Sequence, residues 1–105
     1  MTLNEYQALS SRTDSGAEIW YYTLGLTGEA GEVAELVKKH FRLGRNVPLS
    51  LARLEEELGD VLWYLAAVAR KANLSLEDIA IMNLSKLEKR YGNERAEGMG
   101  CSESI

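Results

Sequence analysis

Apolar residues recur at alternating three- and four-residue steps over two long stretches of the chain, the register with which a helix presents one stripe to a neighbour. Ile19, Tyr22, Leu26, Glu29, Val33, Leu36, His40 and Leu43 share the first seam, and Leu51, Leu54, Leu58, Val61, Leu65, Val68 and Ala72 the second. No segment alternates with period two, so an all-α protein is expected. Thr2-Leu3-Asn4-Glu5 has the form of a capping box and opens a short first helix that fades near Thr13. Asp14 or Ser15 caps a second helix running to about Leu43, with Gly44 as the residue that ends it. Arg45 to Leu49, containing Pro48, form a connection, and Ser50 starts the third helix. Asn73 and Leu74 turn the chain before Ser75-Leu76-Glu77-Asp78 repeats the capping form. The fourth helix carries its apolar stripe on Leu76, Ala80, Leu84, Leu87 and Tyr91 and stops at Gly92. Short connections make neighbours antiparallel, which predicts a bundle of about four helices over residues 1–92, with 93–105 as a flexible tail.

From Val61 to Ala69 the third helix is apolar on every face. A chain of 105 residues is a single domain with a modest core and cannot cover such a helix alone. The bundle is therefore expected to be completed by homo-oligomerisation, as a homodimer or homotetramer. The formal charge of −4 argues against nonspecific affinity for nucleic acid or an anionic membrane. Neither a membrane-spanning run nor the layout of a signal peptide is present in the sequence, and a cytoplasmic location is expected.

Two acidic pairs, Glu29-Ala30-Gly31-Glu32 and Glu57-Leu58-Gly59-Asp60, interrupt the two most apolar helices. Residues three apart are neighbours on a helix, so each pair is a two-pronged oxygen ligand, and antiparallel packing can set the pairs opposite each other. Buried carboxylates in such numbers require a compensating cation. One cysteine, Cys101, and one histidine, His40, exclude zinc sites built on those residues within one chain. Oxygen ligands suit Mg²⁺, Mn²⁺ or Ca²⁺. A solvated face with Glu to Lys pairing is the competing reading; it suits Glu35 with Lys38 or Lys39 but not Glu29, which lies on the seam. On the fourth helix Asn83, Lys86 and Arg90 form a stripe that reads equally as a phosphate contact or as a solvated basic edge near a helix C-terminus. Lys38, Lys39, Arg42 and Arg45 read as a solvated basic face, with nucleotide steering as the lesser alternative. His40, on the seam, is expected to pack or bond within the bundle.

Leu24-Gly25-Leu26-Thr27-Gly28-Glu29-Ala30-Gly31-Glu32-Val33-Ala34-Glu35, then Glu56-Glu57-Leu58-Gly59-Asp60-Val61-Leu62-Trp63-Tyr64-Leu65, then Asn83 to Tyr91, together resemble the MazG-type nucleotide pyrophosphohydrolases. That family of all-α NTP pyrophosphatases carries E-x-x-E followed by E-x-x-D after a variable spacer, which here is 24 residues. The resemblance implies a nucleoside triphosphate substrate, cut between the α and β phosphorus atoms to a monophosphate and pyrophosphate. It further implies that Glu29, Glu32, Glu57 and Asp60 hold Mg²⁺, or Mn²⁺ in its place, and that one of them orients or deprotonates the attacking water. With it, Asn83, Lys86 and Arg90 are expected on the triphosphate. Trp20 and Tyr21, off the seam register, are the expected wall for a base, although aromatics at helical spacing more often serve a core or interface. Gly28 stands where the family often has a further acidic residue. Gly25, Gly28 and Gly31 are expected to allow close helix approach. A phosphoribosyl-ATP pyrophosphatase is the rival within the superfamily, and a non-catalytic helical dimerisation module is the rival outside the enzyme class.

Overall fold

The computed structural model describes residues 1–42 and 48–96. Four α-helices follow in order: α1 (Leu3–Ser10), extended by a 3-10 turn (Ser11–Thr13), α2 (Ile19–Arg42), α3 (Leu51–Lys71) and α4 (Leu76–Ala96). Among the described residues there is no strand, and no helix is long and apolar enough to cross a membrane. The N-terminal signals act as the sequence predicts. Thr2 Oγ1 accepts from the Glu5 amide at 3.0 Å while Glu5 Oε1 accepts from the Thr2 amide at 2.7 Å, closing the capping box. Ser50 Oγ accepts from the Arg53 amide and Ser75 Oγ from the Asp78 amide, capping α3 and α4. Asn73 takes the left-handed turn between them at φ 58°.

Two boundaries differ. α2 starts at Ile19 and not beside Asp14 or Ser15, because Asp14 is engaged elsewhere. Its Oδ2 accepts from Arg70 Nε at 3.2 Å and Nη2 at 2.9 Å, and its Oδ1 accepts from the Gly16 amide and the Tyr22 hydroxyl. α4 runs through Gly92 to Ala96, so helical backbone occupies the first residues expected in the tail. Leu43, Gly44, Arg45 and residues 97–105, Cys101 among them, lie outside the described residues.

Packing departs further from expectation. α2 and α3 form a long antiparallel hairpin, and α1 lies across α3 and the start of α4. Beyond its first turns α4 diverges from the hairpin instead of closing a four-helix bundle. The radius of gyration is 17.1 Å, against about 13 Å for a compact chain of this length. Ala66, Ala69 and Leu76 form a small core with Tyr6 and Ile79 against it, and Tyr22 is the one large side chain fully buried among the described residues. Leu84, placed by sequence on the buried stripe of α4, is 64 % exposed, and Met82 is 71 % exposed.

Polar groups join these elements. Gln7 donates from Nε2 to the Leu74 carbonyl at 2.9 Å and accepts at Oε1 from the Leu76 amide at 3.0 Å, fixing α1 to the α3–α4 turn. Arg70 also donates to the Gln7 carbonyl at 3.1 Å. Burial by itself would raise the Asp14 pKa, but the Tyr22 hydroxyl, the Gly16 amide, Arg70 and Lys71 outweigh it and lower the value from 3.8 to about 2. A carboxylate depressed in the folded state stabilises it above the unfolded pKa, and that stability is lost as pH falls through the folded one. Asp14 should thus contribute about 2 kcal/mol near neutral pH, lost between pH ~4 and ~2. Denaturant unfolding of the Asp14→Asn variant should show a loss of that order at pH 7 and a shallower decline across the acid limb; an acid limb equal to the wild type's would refute the assignment.

Candidate metal centre

Hairpin packing brings carboxylates from two helices into one volume. Glu29, on the α2 seam, is half-buried; Glu57 and Asp60, one turn apart on α3, face it. One oxygen from each of the three lies within 4.8 Å of the others. Burial raises the Glu29 pKa, and the charges of Asp60, Glu57 and Glu32 together with a hydrogen bond to Glu57 add to the rise. Burial is the larger cause, and the crowding of like charges works in the same direction. Three hard oxygen donors suit a divalent ion, and an octahedron with ~2.1 Å bonds needs oxygens about 3 to 4 Å apart, so only slight closure would complete the fit. Glu32, the fourth residue of the predicted set, is exposed one turn further along α2: its charge reaches Glu29 but its carboxylate stands outside the trio.

Aromatic rings border the trio. Tyr22, Trp63 and Tyr64 meet at centroid distances of 5.0 to 6.4 Å, and Trp63 Nε1 donates to Thr13 Oγ1 at 2.9 Å. Burial raises the Tyr64 pKa, with Tyr21, Glu29 and Asp60 adding to it, which puts this phenol between the rings and the carboxylates. Trp20 and Tyr21 are 59 % and 50 % exposed, edge to face with one another, so both rings are accessible. His40 packs edge-on against Phe41.

The α4 stripe is elsewhere. Asn83 lines a groove with Leu3, Leu62, Leu65 and Leu76, and Lys86 lines a second of about 400 Å³ with Leu74, Ile79 and Met82. Asn83, Lys86 and Arg90 are exposed, and among the described residues no hydrogen bond or ion pair joins them to Glu29, Glu57 or Asp60. Arg53, which the sequence reading passed over, reaches the trio, with Nη2 at 4.0 Å from Glu57 Oε1. Its spacing of four from Glu57 was the available signal.

The fold and this site define an all-α protein whose helical hairpin gathers three carboxylates into one volume. The model of the MazG nucleotide pyrophosphohydrolase domain matches residues 20–93, and the chain belongs to that family, a family of hydrolases. It is 40 % identical over 89 residues to the Gene 37 protein of Mycobacterium phage L5, an alignment covering 83 % of this chain and 78 % of that protein. It is 37 % identical over 82 residues to dCTP pyrophosphatase 1 of Mus musculus and equally to that of Rattus norvegicus, covering 74 % of this chain. The chain spans about half the length of these two pyrophosphatases, 48 %. No solved structure is significantly similar to it.

The expectation that three glycines admit close helix approach holds at one of them. A Cβ on Gly25 would overlap the Tyr64 ring, whereas nothing lies within 4 Å of one on Gly28 or Gly31. Gly25→Ala should therefore destabilise by about 1–3 kcal/mol in spite of the better helix propensity of alanine. Gly31→Ala should instead add up to ~1 kcal/mol. Equilibrium unfolding of the two variants tests the contrast, and a Gly25→Ala protein as stable as the wild type would show that Tyr64 does not depend on that gap.

Proposed function

We propose that this protein is a Mg²⁺-dependent pyrophosphohydrolase that converts a deoxynucleoside triphosphate to the monophosphate and pyrophosphate. The observation that carries this reading is the convergence of Glu29, Glu57 and Asp60 on one volume, in a chain whose E-x-x-E and E-x-x-D motifs supply all three. Glu29, Glu57 and Asp60 would hold the ion, with Glu32 within a turn to complete the set. A bound divalent cation supplies neutralisation of phosphate charge and acidification of water. Four carboxylates exceed what one ion's inner sphere takes from the protein, so one of them is left to orient the water that adds to the α-phosphorus and to accept its proton. The bond from that phosphorus to the bridging oxygen breaks, and pyrophosphate departs. Trp20 and Tyr21 offer exposed rings for the base. The relatives named dCTP pyrophosphatase 1 make dCTP the first substrate to test.

Self-association follows from α4. Ile81, Met82 and Leu84 are 58 %, 71 % and 64 % exposed on a helix that also carries Asn83, Lys86 and Arg90. A second copy covering that apolar surface would remove the liability of leaving it in water. It would also bring the three polar residues within reach of a triphosphate. We read the working protein as a homodimer or a larger homo-oligomer.

Pyrophosphate release from dCTP and a panel of other dNTPs should require Mg²⁺ and fall at least ~100-fold in Glu57→Gln and in Asp60→Asn, in line with loss of charge at a metal site. Mg²⁺ at a hundredfold excess over Kd should stabilise the wild type by about 2.7 kcal/mol and stabilise neither variant. Turnover persisting in either variant removes that residue from the site. Sedimentation should find a dimer or larger species, with Met82→Lys shifting it towards monomer by placing a charge in the apolar contact. A monomeric wild type at tens of micromolar would count against the assembly.

A further inference from the structure

A pocket at the end of the hairpin where α2 gives way to α3 is joined to the trio through Arg53. Its volume is about 210 Å³, with Lys39, His40, Ser50 and Arg53 set around an apolar floor of Leu36, Pro48 and Leu49. In a chain of net charge −4, this pocket gathers two permanent cations and the only histidine. Arg53 belongs to both places: it lines the pocket, and its guanidinium stands 4.0 Å from Glu57. Its side chain is 64 % exposed, and so loose and exposed an ion pair holds it weakly. Turning Arg53 from Glu57 towards another anion therefore costs little.

We propose that this pocket receives the distal phosphates of the nucleotide and, after cleavage, the pyrophosphate. The proposal rests on the pyrophosphohydrolase reading for the identity of the ligand, and on the geometry for its place. From Glu57 to Arg53 is one helical turn, about 5.4 Å along α3, a step matched to the reach of a diphosphate from an α-phosphate held at the carboxylates. Crowded carboxylates repel the outer charges of a triphosphate, so those charges need cationic partners beyond the trio. Arg53 and Lys39 provide them: a guanidinium fork that can take two phosphate oxygens and an ammonium that acts as a point charge.

Titration calorimetry of the full chain with inorganic pyrophosphate in Mg²⁺, and separately with a nucleoside monophosphate, separates this pocket from the rest of the site. Arg53→Gln and Lys39→Gln should each weaken pyrophosphate binding about tenfold, as for loss of a charge-assisted phosphate contact, and leave monophosphate binding within about twofold. Both should raise KM for the triphosphate. Arg53→Gln should not weaken Mg²⁺ binding measured without nucleotide, since it removes a competitor for Glu57. Lys38→Gln, on the same helix but outside the pocket, controls for loss of net charge. Unchanged pyrophosphate affinity in Arg53→Gln, or an equal loss in Lys38→Gln, overturns the proposal. A wild-type protein that hydrolyses no nucleotide yet loses pyrophosphate binding in Arg53→Gln would sink the catalytic reading and leave the pocket standing.

Discussion

Like-charge repulsion inside the α2–α3 hairpin is the constraint around which this molecule is arranged. Carboxylate oxygens within 4.8 Å of one another repel by roughly 3 kcal/mol or more per ionised pair at an effective dielectric of 20, before screening at the exposed Asp60 reduces it. A small domain has only about 5–15 kcal/mol of net stability to set against that. The hairpin holds the groups together because Tyr22 meets Trp63 and Tyr64 across it, with the Tyr64 ring seated over Gly25 one turn from Glu29. Proton uptake at Glu29 relieves part of the strain, which is the meaning of its raised pKa. A divalent cation would relieve more, and at neutral pH.

The opposite behaviour of Asp14 makes the same point with the sign reversed. Both carboxylates are half-buried, yet one is shifted up and the other down to about 2. Burial acts in the same direction on each, so the neighbours decide: Glu57, Asp60 and Glu32 surround Glu29, while Arg70, Lys71, a hydroxyl and an amide surround Asp14. A carboxylate paired with cations ties the α1–α2 connection to the end of α3, and a set of carboxylates crowded by like charge sits in the middle of the hairpin. The proposed function places structure on the first and chemistry on the second, in keeping with that difference.

What could be read from the sequence divides by range. The caps at Thr2, Ser50 and Ser75 were legible because each closes within three residues. The carboxylate juxtaposition was legible because seam register and a short connection leave an antiparallel pair little freedom. The start of α2 was not, since Asp14 is a good cap by type but is captured by Arg70, 56 residues away. Gly92 likewise looked like a terminator, yet α4 passes through it. The course of α4 was least legible: its periodicity predicts an inward stripe, and periodicity carries no information on which chain supplies the neighbour. Glu32 shares its motif with Glu29 but, three residues on, emerges at the edge of the hairpin where its carboxylate misses the trio.

α4 then presents a choice between two physical outcomes. Left as it stands, Ile81, Met82 and Leu84 remain largely in water, and Lys86 and Arg90 are exposed on the same helix. Folding back within one chain would require a different α3–α4 turn from the one fixed by Asn73 in the left-handed region and by Gln7 bonded to Leu74 and Leu76. Those contacts are local and satisfied, so the direction of α4 is set at its root. Under the proposed self-association, the exposed Ile81, Met82 and Leu84 would be covered by another molecule. In that proposal a second copy of this chain would offer apolar surface to the leucine and methionine side chains and an acidic centre to the basic ones.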